Sequence, residues 1–286
     1  MIAICPNPFR DTELKYTLEA QKILHADGFE TVICPVFADD APESIPSGIE
    51  TAALRPALSD CELAIVIGGD GTILSVAREM RGFGIPLLGV NLGTKGFMTA
   101  LEPEELPLIS RAARGDYHVS RRMMLDVELL RGGETIYSDS VLNDVVMHGY
   151  GDCIKLTAWC EGDKITNFSG DGIILSTPTG STGYSMSAGG PIVEPDTEAI
   201  ILSPICAHAM ASRSFVLGPR RKITVKAEKL HMRKAYLSVD GNWAVDLENG
   251  DAMVVRRSSH SYGRFRPEEL LRHLIRKIDL KLWRNK

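Results

Sequence analysis

Two glycine-rich segments carry the residues best suited to chemistry. The first is Gly68-Gly69-Asp70-Gly71-Thr72, directly after an apolar run and before a stretch of helical periodicity. Glycines let backbone amides approach a phosphate closely, and a following helix N-terminus favours an anion. The aspartate is the odd member, because it repels phosphate unless a cation or a hydroxyl stands between them. A tight turn capped by Asp70 is the plainer reading of the same five residues. The second segment opens at Asp171 and leads an apolar run into Thr179, Thr182, Gly183, Tyr184, Ser185, Met186 and Ser187. Such an array of hydroxyls and amides can hydrogen-bond ribose and phosphate while Tyr184 lies against a base or ring. Between the two lies Asn143-Asp144, an amide and a carboxylate flanked by apolar residues, which also reads as an Asx turn at a hairpin end. The segment 89–96 (GVNLGTKG) looks like a Walker A loop but has the wrong order around Lys95.

The elements that must hold these residues follow from periodicity. The first third of the chain reads as strand 2–5, a helix with Leu14, Leu18, Ile23 and Leu24 on its apolar side, and strand 31–37. Asp11 or Thr12 would cap that helix and Gly28 end it. A Pro-rich loop, a short helix near Leu54, strand 62–67, helix 72–81, strand 86–91 and helix 103–114 complete the pattern. Strands alternating with helices predict a Rossmann-like parallel sheet with covered faces. From about His118 the texture changes to a hairpin, 124–130 and 135–141 around Arg131-Gly132-Gly133-Glu134, and then to short strands at 154–160, 172–176, 223–227 and 235–239. Helical spacing returns in Leu270, Leu271, Leu274, Ile275, Ile278 and Leu282. The expected organisation is an α/β lobe over 1–118, completed by a C-terminal helix over 265–286, and a β-rich lobe over 119–264.

Composition narrows the function classes. The chain has 286 residues, 44% hydrophobic and 24% charged, enough apolar material for two cores, which excludes intrinsic disorder. The longest uncharged stretch, 172–193, is rich in Gly, Ser, Thr and Pro, unlike a membrane span. No basic region leads into an apolar core at the start; the expected location is cytoplasmic. The six cysteines form no CxxC pair and the histidines no HxxxH pair, so reduced thiols are expected rather than disulfides or a zinc site. His208, in an apolar run, reads as a buried imidazole, and Trp159 and Trp243 as packing residues; Arg213 reads equally as an anion contact or an ion-pair member. Net charge is −5, yet residues 256–286 carry 10 basic and 3 acidic groups. A basic tail can bind nucleic acid or lipid, but its helical apolar spacing points to a docked amphipathic helix with a solvated basic face.

Taken together, GGDGT, then Asn91-Leu92-Gly93-Thr94-Lys95-Gly96-Phe97, Asn143-Asp144, and DGIILSTPTGSTGYSMSAGGPIV resemble the NAD kinase family, in the family's order. The match is strong over 61–193 and continues weakly through Ala211-Ser212-Arg213 and Asp240-Gly241-Asn242. GGDGT is shared with lipid kinases and phosphofructokinases; the long second motif is what makes the resemblance specific. It implies transfer of the terminal phosphate of ATP to the 2′-hydroxyl of the adenosine ribose of NAD, giving NADP. On the same resemblance Asp70 is the proton acceptor. Asp70, Gly71, Asn143, Asp144, Asp171, Thr179, Thr182 to Ser187 and Asn242 contact NAD, and Gly68, Gly69, Gly71 and Thr72 face the donor phosphates. Mg²⁺, or another divalent cation, would be carried mainly by those phosphates, and the subunits would assemble as a homo-oligomer, at least a dimer and on the family's pattern a homotetramer.

Phosphoryl transfer gains mostly from positioning and charge stabilisation. An aspartate is ordinarily ionised at neutral pH and can orient a hydroxyl and accept its proton. Three positions depart from the family pattern. Gly183 stands where Ala is commoner, Asp144 where Glu is commoner, and Ser169 where many members carry Arg or Lys, with Lys155 a candidate replacement for that charge. The competing readings are a lipid-type kinase sharing only GGDGT, a non-catalytic NAD sensor that would not need Asp70, and nucleic-acid binding through the basic tail.

Overall fold

The computed structural model describes residues 1–37, 44–94, 96–208 and 212–266. The chain divides into two compact units, Met1–Arg121, rejoined by the chain from Tyr262, and Arg122–Ser261.

In the first unit, strands β1 (Ile2–Pro6), β2 (Thr31–Ile33), β3 (Leu63–Gly68) and β4 (Leu87–Asn91) lie parallel in the order β2-β1-β3-β4. Every residue of β1, β3 and β4 is buried, as a parallel sheet covered on both faces requires. The connecting helices are α1 (Lys15–Ala26), α2 (Leu54–Ala57), α3 (Asp70–Glu79) and α4 (Ile109–Ala113). Ile4, Ile65, Val90, Leu24 and Ile109 meet in one core. The chain leaves β1 toward β2 on one side and returns as β3 on the other. The carboxyl ends of β1 and β3 therefore form the switch point where open α/β sheets bind ligands, and GGDGT stands at one of those two ends.

Several expected boundaries shift for local reasons. Strand 31–37 is regular only to Ile33, although Cys34 and Val36 still donate to the Ile4 and Pro6 carbonyls of β1 at 2.8 Å. Helix 72–81 begins at Asp70, inside the glycine-rich turn. Helix 103–114 is a 3-10 segment, Pro103–Leu108, before α4, with Pro107 interrupting the α pattern. Asp11 does cap α1, accepting the Tyr16 and Thr17 amides at 2.9 Å. Leu18, however, is exposed, and the buried face is Thr17, Ala20 and Leu24.

The second unit is antiparallel. Strands β5 (His118–Arg131), β6 (Glu134–Val141), β7 (Asp144–Gly149), β8 (Ile154–Cys160), β9 (Asp163–Gly170) and β10 (Gly172–Ser176) are followed by the short α5 (Tyr184–Ser187). Then come β11 (Ile200–Ile205), β12 (Phe215–Leu217), β13 (Ile223–Glu228), β14 (Ala235–Val239), β15 (Asn242–Leu247) and β16 (Ala252–Arg266). One sheet of this unit runs β16-β13-β8-β9 with the β5–β6 hairpin beside β16; the other runs β12-β11-β10-β7-β14-β15. Leu125, Leu156 and Val225 of the first pack with Val145, Ile173 and Leu202 of the second in a shared core. Gly132 and Gly133 take φ of 62° and 94° in the expected hairpin turn, a conformation glycine adopts without steric cost.

Phe265 and Arg266 belong to β16; the rest of the helix expected over 265–286 lies outside the described residues, as do Lys95 and Ala211. His208 is exposed rather than buried, and Trp243 is 60% exposed rather than packed. Among the described residues no helix is long and apolar enough to cross a membrane.

Candidate active site

The glycine-rich turn of the first unit is held from inside. The side chain of Thr72 is buried, and its Oγ1 accepts from Asn7 Nδ2 at 3.1 Å and from the Gly69 amide at 3.3 Å. Gly68 makes room for it, since a Cβ there would fall 2.4 Å from Thr72 Oγ1. Thr72 and the Gly69 amide, both expected to face phosphate, are thus engaged with each other. Gly71 has open space around its Cα and lies exposed at the start of α3, where helix amides are unpaired and the dipole favours an anion. Asp70, half-buried, accepts the amides of Phe97 at 3.0 Å and Met98 at 2.9 Å, one on each oxygen. A carboxylate has about four lone-pair sites, so Asp70 anchors the 96–98 segment and retains acceptor capacity for a hydroxyl. Asn7, at the end of β1, was not singled out from sequence; its partner is 65 positions away.

In the second unit the loop after β10 folds over the start of β7, because Ser176 pairs with Asp144 in register. The Thr177 amide donates to the Asn143 carbonyl at 2.9 Å. Gly180 passes so close that a Cβ would lie 2.2 Å from that same oxygen. Next along the loop, a Cβ at Gly183 would stand 3.7 Å from Asn143 Nδ2 and 3.9 Å from Asp144 Oδ2. These contacts bring Asn143 and Asp144 against Gly180 and Gly183, with Thr179 and Thr182 next to those glycines in the same loop. Two of their atoms, Asn143 Oδ1 and Thr179 Oγ1, are buried with no hydrogen-bond partner. Such an atom costs about 1–3 kcal/mol until something satisfies it.

Asp144 is 6% exposed; burial and, next, the carboxyl of Asp240 push its own carboxyl from 3.8 up to about 7. Asp240 opens the turn Asp240-Gly241 between β14 and β15, with φ of 47° and 80°, and Asn242 Nδ2 donates to its carbonyl at 3.3 Å. It was not chosen from sequence as a site residue, although Asp-Gly between two β patterns signals a hairpin.

The aromatic member is set by a histidine. The Gly149 carbonyl lies 2.6 Å from His148 Nδ1, which must therefore donate. In the neutral ring Nε2 is left to accept from the Tyr184 hydroxyl at 3.1 Å. Burial raises the Tyr184 phenol, with Tyr236, Cys206, Asp171 and Asp144 adding to the effect. Ser185 turns inward to Ser203 at 3.0 Å, whereas Ser187 is exposed. Lys155 stands directly across from Ser169 in the β8–β9 pair and forms an ion pair with Glu228 at 3.8 Å.

Models of two domains match the chain: the ATP-NAD kinase N-terminal domain over residues 2–115 and the ATP-NAD kinase C-terminal domain over 142–266. The chain belongs to the NAD kinase family. It is 44% identical over 208 residues to the NAD kinase of Geobacter sulfurreducens, spanning 72% of each chain. With the NAD kinase of Acetivibrio thermocellus it shares 36% over 260 residues, 90% of this chain and 89% of that one. The yeast NADH kinase solved with NADH superposes at a TM-score of 0.83, with 26% identity, covering 97% of this chain and 86% of that one. An NAD kinase from Archaeoglobus fulgidus shares the fold at a TM-score of 0.75 and 24% identity, over 98% and 99% of the two chains. As an NAD kinase family member the chain is a phosphotransferase, and the family's usual Ala fits at Gly183 with only the Gly180 carbonyl, 3.2 Å from the added carbon, needing to give.

Proposed function

We propose that this protein phosphorylates the 2′-hydroxyl of the adenosine ribose of NAD with ATP. In the first unit, Gly71 and the start of α3 receive donor phosphates, while Asp70, pinned by the Phe97 and Met98 amides, orients the acceptor hydroxyl and takes its proton. In the second, Asn143, Asp144, Thr179, Thr182, Gly183, Tyr184 and Asp171 hold NAD, with Lys155 opposite Ser169 supplying the cationic charge that the family's Arg or Lys provides elsewhere. The observation that carries this reading is the pair of buried unpartnered atoms, Asn143 Oδ1 and Thr179 Oγ1, on residues matching the family's NAD contacts.

Mg²⁺ enters with the donor. Carried by the phosphate oxygens, it would neutralise charge on the transferring group. A cytoplasmic location and a homotetramer are proposed by analogy with the family. Incubating the protein with ATP, Mg²⁺ and NAD while following NADP tests the reaction. Folded protein that forms no NADP, with other triphosphates and polyphosphate also tried, refutes it. Sedimentation of a fully active monomer would remove the assembly.

A further inference from the structure

The backbone from Leu142 to Asp144 is saturated with hydrogen bonds from two residues. Asp240 Oδ2 accepts the Leu142 amide at 2.9 Å, and Oδ1 accepts those of Asn143 at 2.7 Å and Asp144 at 3.1 Å. On the opposite side Thr177 Oγ1 donates to the Leu142 carbonyl at 2.6 Å and the Thr177 amide to that of Asn143 at 2.9 Å. The Asp240 amide donates to the Asp144 carbonyl at 2.9 Å. All three amides and all three carbonyls are therefore occupied, and only the Asn143 and Asp144 side chains remain to meet a ligand. Asp240 lies 96 to 98 positions away, on a hairpin turn whose left-handed backbone Gly241 makes accessible.

Withdrawing a carboxylate from water, even partly, is costly unless its charge is used, and Asp240 is half-buried. The Asp240 carboxyl raises that of Asp144 and is itself raised by burial and by Asp139, while the three amides act the other way. A neutral Asn or Ser would accept fewer of the three amides at less electrostatic cost in the empty protein. The arrangement makes sense as a device for holding two side chains in one geometry.

We propose that Asp240 is a positioning residue for the NAD site: through the 142–144 amides, with Thr177 closing the other side, it fixes Asn143 and Asp144 where the dinucleotide meets them. This rests on the reading of Asn143 and Asp144 as NAD contacts. Asp240 itself acts through them and touches no substrate.

The test compares the full-length wild type with Asp240→Asn, which keeps the shape but has one accepting oxygen, and with Thr177→Val, which removes the hydroxyl clamp alone. Steady-state kinetics with NAD and ATP varied separately should show KM for NAD rising about tenfold or more in Asp240→Asn, the effect of one lost charge-assisted hydrogen bond. KM for ATP should stay within about twofold, and Thr177→Val should shift KM for NAD in the same direction by less. A pH profile adds a readout that mere destabilisation would not move. Asp240 is the titratable group that acts on Asp144, Asp139 acts in turn on Asp240, and Asp144 itself raises the Tyr184 phenol. Removing the Asp240 charge lets Asp144 ionise at lower pH, so the acid limb of kcat/KM for NAD should move down. Hydrogen exchange at the 142–144 amides, measured without substrate, should accelerate in Asp240→Asn. A folded Asp240→Asn protein with unchanged KM for NAD and unchanged protection at 142–144 overturns the proposal. Wild type that makes no NADP would instead overturn the functional reading, and the exchange experiment would still decide whether Asp240 holds the turn.

Discussion

Replacing Asp144 with Asn separates the cost of a buried carboxyl from its use. In the folded unit that carboxyl titrates at about 7 rather than 3.8, through burial first and Asp240 second. Between those values the folded protein keeps a proton that the unfolded chain releases. Each pH unit crossed upward therefore removes about 1.4 kcal/mol of stability. The contribution is whole below about pH 4 and gone above about pH 7, roughly 4 kcal/mol across the window. The amide does not titrate, so Asp144→Asn lacks this slope. Between about pH 5 and pH 8 the wild type should lose about 2–3 kcal/mol relative to the variant. For a unit of this size that is a relative Tm change of about 4–12 °C. Thermal unfolding of both ligand-free proteins, followed by tryptophan fluorescence, is the assay, because Trp159 and Trp243 both lie in the second unit. NAD affinity should respond in the opposite sense: the variant is more stable at high pH yet binds NAD more weakly, by about 1.5–3 kcal/mol if a charged acceptor is lost. Parallel Tm-versus-pH curves for the two proteins would refute the account of Asp144 as a buried, proton-holding carboxyl.

Three further perturbations probe other parts of the site. Asp70→Asn should lower kcat by roughly 10²–10⁴ with a smaller change in NAD affinity, and a folded variant keeping more than about a tenth of wild-type kcat would show that Asp70 only anchors the 96–98 segment. Gly180→Ala should destabilise by about 1–3 kcal/mol or more and raise KM for NAD, since the new carbon would lie 2.2 Å from the Asn143 carbonyl, whereas Gly183→Ala should leave both within about twofold; equal effects would misplace the loop. Lys155→Met should raise KM for NAD at low ionic strength and lose most of that effect in high salt, as a half-exposed charge is screened; a salt-independent effect would point to packing instead.

What could be read from the sequence was what depends on near neighbours. An apolar run ending in Gly68-Gly69 and followed by helical spacing had to be a strand-to-helix turn, and both the parallel sheet and the Gly132-Gly133 hairpin follow from local pattern. The misreading of Leu18 has a specific cause. Glu13 and Leu14 take φ of 57° and 53°, so Leu14 lies outside α1 and its burial says nothing about the residue four places on. Asp240 and Asn7 escaped because their roles exist only through partners 65 to 98 positions away. For Thr72, spacing shows that a hydroxyl is near the turn but not which way it faces; the missing side chain of Gly68 leaves the room it occupies.

The parallel sheet of the first unit is finished late in the life of the chain. At one end of β4, Gly89 and Asn91 bond to the nearby segment at 100–101. At the other end Leu87 pairs with Arg264, about 180 residues further on, which a ribosome takes roughly 10–35 s to add. Through that interval the emerging N-terminal half carries an unpaired stretch of buried-type strand, the kind of edge that recruits other chains. The whole β-rich unit must be translated before the strand that closes this edge exists. Fragments truncated before β16 should accordingly aggregate, and a chaperone's client during synthesis would be this first half rather than the second.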